Sequence, residues 1–404
     1  MKRNVRLVAV VACALFAFVF MGAEKAKKPA APKGEPIKAK IGVISIITGQ
    51  GAAYGEAITN GIKLARDEVN AKGDVLIDLK IEDSSGKQEQ ALAAAQKLIN
   101  SEKVVAIIGP TLSNEMFAAG PEANASGVPI MGTSTTAKGI PQIGKFVFRN
   151  SMPESQAIPA SVGHAVKKYN IKKVALLYGN DDAFTKSGFD TMKEVSEKLK
   201  LNIVTIQEFQ KGQADYKAQL TKIASLKPDA VLCSALYNEG GVILAQARKM
   251  GLKVPFVGGN GFNSPKVIEI AKEAAEGLIV ATPWFGEKND PKVKAFVAKY
   301  EKAYGKKPDQ FAAQAYDAFY IMTNALKAAG TADRAKLRDA LAATSICGER
   351  NILPYDCIKF DPSGQSPQGR LVMLQVQKGK FVTVWPPEVA PAKPVYPVPA
   401  WSKR

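Results

Sequence analysis

Two loops carry the residues best suited to hold a small anion. The stretch from Val104 to Ala137 reads VVAIIGPTLSNEMFAAGPEANASGVPIMGTSTTA, two apolar runs that each open into a segment dense in Gly, Ser and Thr. Short runs of β-branched residues bounded by Gly and Pro predict buried parallel strands. Loops that follow such strands lie at the carboxyl edge of the sheet, where open α/β proteins bind ligands. Ser113, Ser134, Thr135 and Thr136 are then expected to converge there with free hydroxyls and backbone N–H groups, a donor set that suits a carboxylate. Serine and threonine after a strand also serve as helix caps and turn residues. What favours a site is that the two loops stand one strand-helix-strand unit apart, which puts both at one crevice.

Other chemistry finds less support. Gly49-Gln50-Gly51-Ala52-Ala53-Tyr54-Gly55 follows a strand-like run and opens a helix, and Glu82 and Asp83 end the next strand. This layout approaches a dinucleotide fingerprint and defines the enzyme alternative, an NAD-type oxidoreductase. The third glycine comes one residue late for it, so the glycines are read as shaping a loop that presents Tyr54. There is no G-x-S-x-G elbow, no HExxH and no Walker loop. His164, the only histidine, sits on an expected helix near Lys167 and Lys168 and reads as structural. No triad or metal cluster can be assembled around it, so neither catalysis, cofactor nor metal is expected.

These loops need a scaffold, and 404 residues are long for one core, so two domains are expected. Hydrophobic content of 46% with 23% charged residues is that of a globular protein. Lys2, Arg3 and Arg6 precede an apolar run from Leu7 to Met21 and then Gly22-Ala23, the form of a secretory signal ending at residue 23. Val10-Val11-Ala12-Cys13 resembles a lipoprotein box, but the apolar run continues well past Cys13. Residues 24–37, rich in Lys, Ala and Pro, read as a linker. Of the net charge of +18, residues 1–40 hold +7, with nine Lys/Arg against two Glu. The remaining lysines are mostly scattered among acids, so a solvated basic surface is expected and a nucleic-acid partner is not. Cys233 lies in the apolar run DAVLCSA, whereas Cys347 and Cys357 flank a turn-rich connection. An oxidising compartment favours a bridge between the latter two, contributing on the order of 2.5–3 kcal/mol through chain entropy.

Strand and helix patterns then alternate along the chain. A strand over Ile41–Ile47 precedes a helix with Ile58, Ile62, Ala65 and Val69 on one face, and a strand over Leu76–Glu82 precedes a helix over Gln88–Asn100 with Leu92, Ala95 and Ile99 inward. The pattern restarts near Asn150 and runs to a strand ending at Ala281. Two long amphipathic helices follow, carrying Phe296 and Tyr300, then Phe311, Phe319 and Leu326, and short closing strands end before a proline-rich tail. Right-handed crossovers make this an α/β chain of two doubly wound parallel sheets.

The A-x-Y-G turn, the helix ending N-A-K-G, the loops I-I-G-P-T-L-S and P-I-M-G-T-S-T-T, the run Q-A-R-K-M-G-L and the tail V-W-P-P-E occur in one order. Together they resemble the substrate-binding proteins of branched-chain amino acid ABC transporters, over nearly all of residues 38–385. The resemblance implies a type I periplasmic binding fold, with two lobes joined by three hinge crossings near Asn150, Thr282 and Asp361. Lobe one would comprise residues 38–150 and 283–361, lobe two 151–282 and 362–404. It implies a periplasmic monomer that performs no chemistry, closes on a small-molecule ligand and docks on an ABC permease. Ser113, Ser134 and Thr136 would hold the ligand carboxylate, Tyr54 would cover the side-chain pocket, and Phe184 and Tyr237, in polar loops after strands, would close from the second lobe. One departure stands out. The family commonly has an acid for the ligand's ammonium where this chain has Asn260, a loss of roughly 1.5–3 kcal/mol unless Glu239, Asp181 or Asp182 compensates. The alternatives are therefore a carboxylate without an amino group, or a sensor built on the same clamshell.

Overall fold

The computed structural model describes residues 35–397 apart from Phe285, residues 348–351, Asp356 and residues 367–368. The signal segment, Cys13, nearly all of the linker and the last residues of the tail lie outside the described residues. β1 (Ile37–Ser45) is buried continuously from Ile41, as expected of a strand covered on both faces. α1 (Ala52–Lys72) follows, burying Ile58, Ile62, Ala65 and Val69. With β2 (Val75–Asp83), α2 (Gln88–Asn100), β3 (Ala106–Ile108), α3 (Ser113–Ala125), β4 (Ile130–Gly132) and β5 (Val147–Arg149) it builds a parallel sheet of order β2-β1-β3-β4-β5. Strand β5 has no counterpart in the sequence reading. On α2 the inward stripe is Ala91, Ala94, Ala95, Leu98 and Ile99, while Leu92 is only half-buried. The helix touches α3 and the sheet together, and its alanines permit that close approach.

The second sheet gathers β6 (Lys173–Gly179), β7 (Asn202–Phe209), β8 (Ala230–Ser234), β9 (Phe256–Gly258) and β10 (Ile279–Thr282), all parallel. Between them run α5 (Ala183–Lys198), α6 (Lys217–Ser225), α7 (Tyr237–Lys249) and α8 (Lys266–Ala271), with α4 (Glu154–Tyr169) ahead of β6. The chain then returns to the first sheet. There α9 (Pro291–Tyr304) and α10 (Gln310–Ala329) pack on α1, and α11 (Arg334–Ala342) packs on α10. β11 (Ser345–Cys347) and β12 (Cys357–Lys359) form a hairpin in which Cys347 faces Cys357 and is joined to it as a disulfide. β13 (Val372–Gln377) and β14 (Lys380–Trp385) finally add an antiparallel edge to the second sheet, beside β10. The tail docks on that edge, where Gln375 exchanges hydrogen bonds with the backbone of Val395.

Each sheet with its helices is called a lobe below. The strands between them are held by buried polar side chains. Arg149 donates from Nε to Gln365 Oε1 at 2.5 Å and from Nη1 to the carbonyl of Ala137 at 2.6 Å. Asn150 donates to the Gln314 carbonyl at 2.9 Å, tying the β5 exit to α10. No helix among the described residues is long and apolar enough to cross a membrane.

Candidate functional site

At the carboxyl edges of both sheets the lobes meet around a narrow space of about 20 Å³. From the first lobe it is lined by Tyr54, Thr111, Leu112, Ser113, Ser134 and Phe311. The second lobe adds Phe184, Leu236, Asn260 and Gly261. No ionisable acid or base other than the Tyr54 phenol is among these residues. The walls are aromatic and aliphatic, and the polar groups are hydroxyls and one amide, an arrangement suited to a small carboxylate with an apolar body.

The glycine loop before α1 is explained by sterics. Gly51 has φ 97°, and a Cβ on Gly55 would meet the Ile46 carbonyl oxygen at 1.8 Å. They let the first turn of α1 sit against the end of β1 and aim Tyr54 inward. The Tyr54 hydroxyl donates to the Gly261 carbonyl at 2.5 Å and accepts the Tyr237 N–H at 2.8 Å. Burial raises its pKa well above the ordinary phenol value, so it keeps the proton it donates. Tyr237 packs edge-on to Tyr54 at 4.6 Å, its hydroxyl accepts the Ala53 N–H at 3.3 Å, and it is not among the lining residues. Phe184 does line the space. Both aromatics sit in the first turns of α5 and α7 rather than in polar loops, because those helices begin as soon as the strand ends.

The hydroxyl cluster is partly engaged, contrary to the expectation of free groups. Ser134 donates to the Thr111 carbonyl at 2.5 Å and Ser113 accepts the Ala137 N–H at 3.2 Å, so both brace the two loops against each other. Thr135 and Thr136 are buried with hydroxyls that have no partner. Thr136 is not among the residues lining the space, and its carbonyl accepts the Glu154 N–H.

Asn260 belongs to a directed chain of hydrogen bonds. The Trp284 N–H donates to Thr282 Oγ1 at 3.1 Å, and that hydroxyl donates to Gln310 Oε1 at 2.7 Å. The Gln310 amide nitrogen therefore donates to Asn260 Oδ1. Asn260 is left with its NH₂ to offer the cleft, a donor where an ammonium would need an acceptor. The three acids that could compensate are set back from the cleft. Asp181, Asp182 and Glu239 line a second, smaller space whose shared wall with the first is Leu236.

Sequence reasoning missed Thr111, Leu112, Leu236, Gly261 and Phe311. The first two lie in the quoted G-P-T-L-S motif, and Phe311 was assigned to the core face of its helix. It also missed Glu154, the first residue of α4, whose carboxyl is 1% exposed and accepts the Asn260 N–H at 2.8 Å. Burial pushes it up to about 7 from 4.5. A carboxyl raised in the fold contributes full stability below its unfolded pKa and loses it as pH rises through the folded one. The Tm of the wild type relative to Glu154→Gln is therefore expected to fall between pH 5 and pH 8. A difference independent of pH would refute the shift.

The fold and cleft together define a two-lobed ligand-binding protein, and the sequence carries the family. A family model for periplasmic binding proteins matches residues 38–380. The chain is 27% identical to the Leu/Ile/Val-binding protein BraC3 of Rhizobium johnstonii over 346 residues, 85% of this chain and 92% of that one. It superposes with TM-score 0.79 on the branched-chain amino acid binding protein LivJ of Streptococcus pneumoniae, crystallised with isoleucine, at 30% identity over 85% of this chain and 97% of the other. A solute-binding protein of an ABC transporter from R. palustris, solved with benzoate, matches with TM-score 0.78 at 26% identity, over 86% of this chain and 95% of that one. The chain belongs to the periplasmic binding protein family, and its fold is the type I fold of that family's branched-chain amino acid branch. That family is one of binding proteins, not of enzymes, and it works outside the cytoplasm.

Proposed function

We propose that this chain is the periplasmic substrate-binding protein of an ABC importer and that it holds a branched-chain or other hydrophobic amino acid between its lobes. The observation that carries this reading is the composition of the cleft: Ser113 and Ser134 on one side, Tyr54, Phe184, Leu236 and Phe311 around the rest. The hydroxyls of Ser113 and Thr136 and the backbone N–H groups of Ser134 and Thr136 receive the carboxylate, Tyr54 and Phe311 pack on the side chain, and Phe184, Tyr237 and Asn260 close from the second lobe. The lobes, residues 38–150 with 283–361 and residues 151–282 with 362–404, swing about the crossings near Asn150, Thr282 and Asp361. Ligand favours the closed state because it touches both lobes. A monomer in the closed form docks on a permease whose ATPase subunits are separate chains, and the signal at residues 1–23 directs export.

A second reading is favoured by Asn260. An amide that offers NH₂ to the cleft suits a carboxylate without an amino group, and the relative solved with benzoate shows that this fold accepts one. Thermal unfolding of the purified protein, stripped of co-purified ligand, separates the two. Leucine, isoleucine or valine at about a thousand times its dissociation constant is expected to add roughly 4 kcal/mol and raise Tm clearly. A shift only with the deaminated acids would select the second reading, and no shift with either would overturn both.

A further inference from the structure

Behind Leu236 lies a small chamber of about 10 Å³, room for one water-sized group, that the cleft does not account for. Asp182 and Glu239 line it, each only 3% exposed. Each spends one oxygen on a backbone N–H: Asp182 Oδ1 accepts from Thr185 at 2.9 Å, and Glu239 Oε1 accepts from Gly212 at 3.0 Å. The second oxygen of each, Asp182 Oδ2 and Glu239 Oε2, is buried without any hydrogen-bond partner. Carboxylate oxygens withdrawn from water and left unpaired are costly, and a cation or a donor is what relieves the cost.

The chain's own cation fills that role only in part, since Lys211 favours the charged form of Asp182 electrostatically without bonding to it. Lys211 lines the chamber, but its Nζ donates to the Gly86 carbonyl at 3.3 Å, and among the described residues it forms no ion pair. Asp181 takes the Lys211 backbone N–H at the chamber's exposed side. From the first lobe Glu115, fully buried, comes close enough to Asp182 for the two charges to repel. In the chamber one lysine therefore faces three carboxyl groups, Asp181, Asp182 and Glu239. Glu239 also acts electrostatically on the Tyr54 phenol, so its charge is felt in the cleft. Leu236 is the partition, since it lines both spaces.

We propose that Asp182 and Glu239 form a subsite for an ammonium group of the ligand, reached from the cleft past Leu236. The proposal rests on the reading of the cleft as an amino-acid site, and moves the counter-charge away from the Asn260 position into this chamber. The group recognised is a primary ammonium, carried on the α-carbon or at the end of a side chain. Two ligand pairs distinguish these sources: leucine against 4-methylpentanoate for the first, lysine against norleucine for the second.

Calorimetric titration of the full chain, and of Glu239→Gln and Asp182→Asn, with these four compounds is the test. The wild type is expected to prefer the ammonium-bearing member of at least one pair, and each variant to reduce that preference at least tenfold. The amides preserve the acceptors for Gly212 and Thr185, and if one variant does not fold the other decides. A wild-type preference that survives both substitutions overturns the subsite and leaves the function standing. Binding without preference in either pair overturns the subsite in favour of a simple carboxylate ligand. Binding of none of the four overturns the amino-acid reading and the subsite with it.

Discussion

Tyr54→Phe is expected to weaken ligand binding about thirtyfold while both lobes stay folded. The substitution keeps the ring, with its packing on Tyr237 at 4.6 Å and Phe311 at 4.7 Å, and removes only the oxygen. That oxygen comes from the first lobe and satisfies two buried backbone groups of the second, the Gly261 carbonyl and the Tyr237 N–H. In the closed form both would lose their partner, at about 1–3 kcal/mol each. In an open form water supplies partners, so the penalty falls on closure alone. Taking the low end for two groups, ~2 kcal/mol, gives the thirtyfold change. Titration calorimetry measures the affinity, and X-ray scattering of the ligand-free variant is expected to show a larger radius of gyration than the wild type. Unchanged affinity and scattering would mean that the hydroxyl does not hold the lobes together.

The second large effect is expected from Gln310→Glu, as a change of ligand preference. In the wild type the chain from the Trp284 N–H through Thr282 and Gln310 ends on Asn260 Oδ1. A carboxylate at position 310 has acceptors only. Thr282 still donates to one of its oxygens, and the other is satisfied only if the Asn260 amide turns its NH₂ toward it. The amide then shows its oxygen to the cleft, beside a new negative charge. An ammonium gains a charge-assisted partner worth about 1.5–3 kcal/mol, which is tenfold or more in favour of leucine over 4-methylpentanoate. Position 310 is 2% exposed, so the new carboxyl is reluctant to ionise, and the preference is expected to grow from pH 6 to pH 9. A ratio of dissociation constants equal to that of the wild type at all pH values would refute the relay.

Much of the fold is legible because periodicity is strong where the chain is long. The α10 stripe of Phe311, Phe319 and Leu326 is visible as a helix face, and the buried strands β6 and β8 as apolar runs bounded by turn residues. The two hydroxyl-rich loops are legible because their hydroxyl residues have no apolar reason to cluster. What sequence does not separate is the cleft wall from the core. Phe311, Leu112 and Leu236 are buried in either case, and only the fold decides which buried faces meet across a gap. Hydroxyls that brace a loop and hydroxyls that await a ligand also look alike, which is why Ser134 was expected to be free and is engaged. Glu154 carries no signal at all, since an acid in the first turn of a helix is unremarked there.

The antiparallel edge on the second sheet has a consequence for how the chain is made. A polypeptide that emerges with its N-terminus first completes β10 about ninety residues before β13 appears. Until then the backbone of Ile279–Thr282 has parallel β9 on one side and an open edge on the other, and Leu374 and Met373 are not yet there to pair with Val280 and Ala281. An open apolar edge is a template for other chains. The first lobe waits as well, because α10, which covers α1, comes after β10. Neither lobe is one continuous stretch of chain, so both are finished late and nearly together. Slow, non-local assembly of this kind makes the nascent chain, rather than the finished protein, the form that most needs shielding from its neighbours.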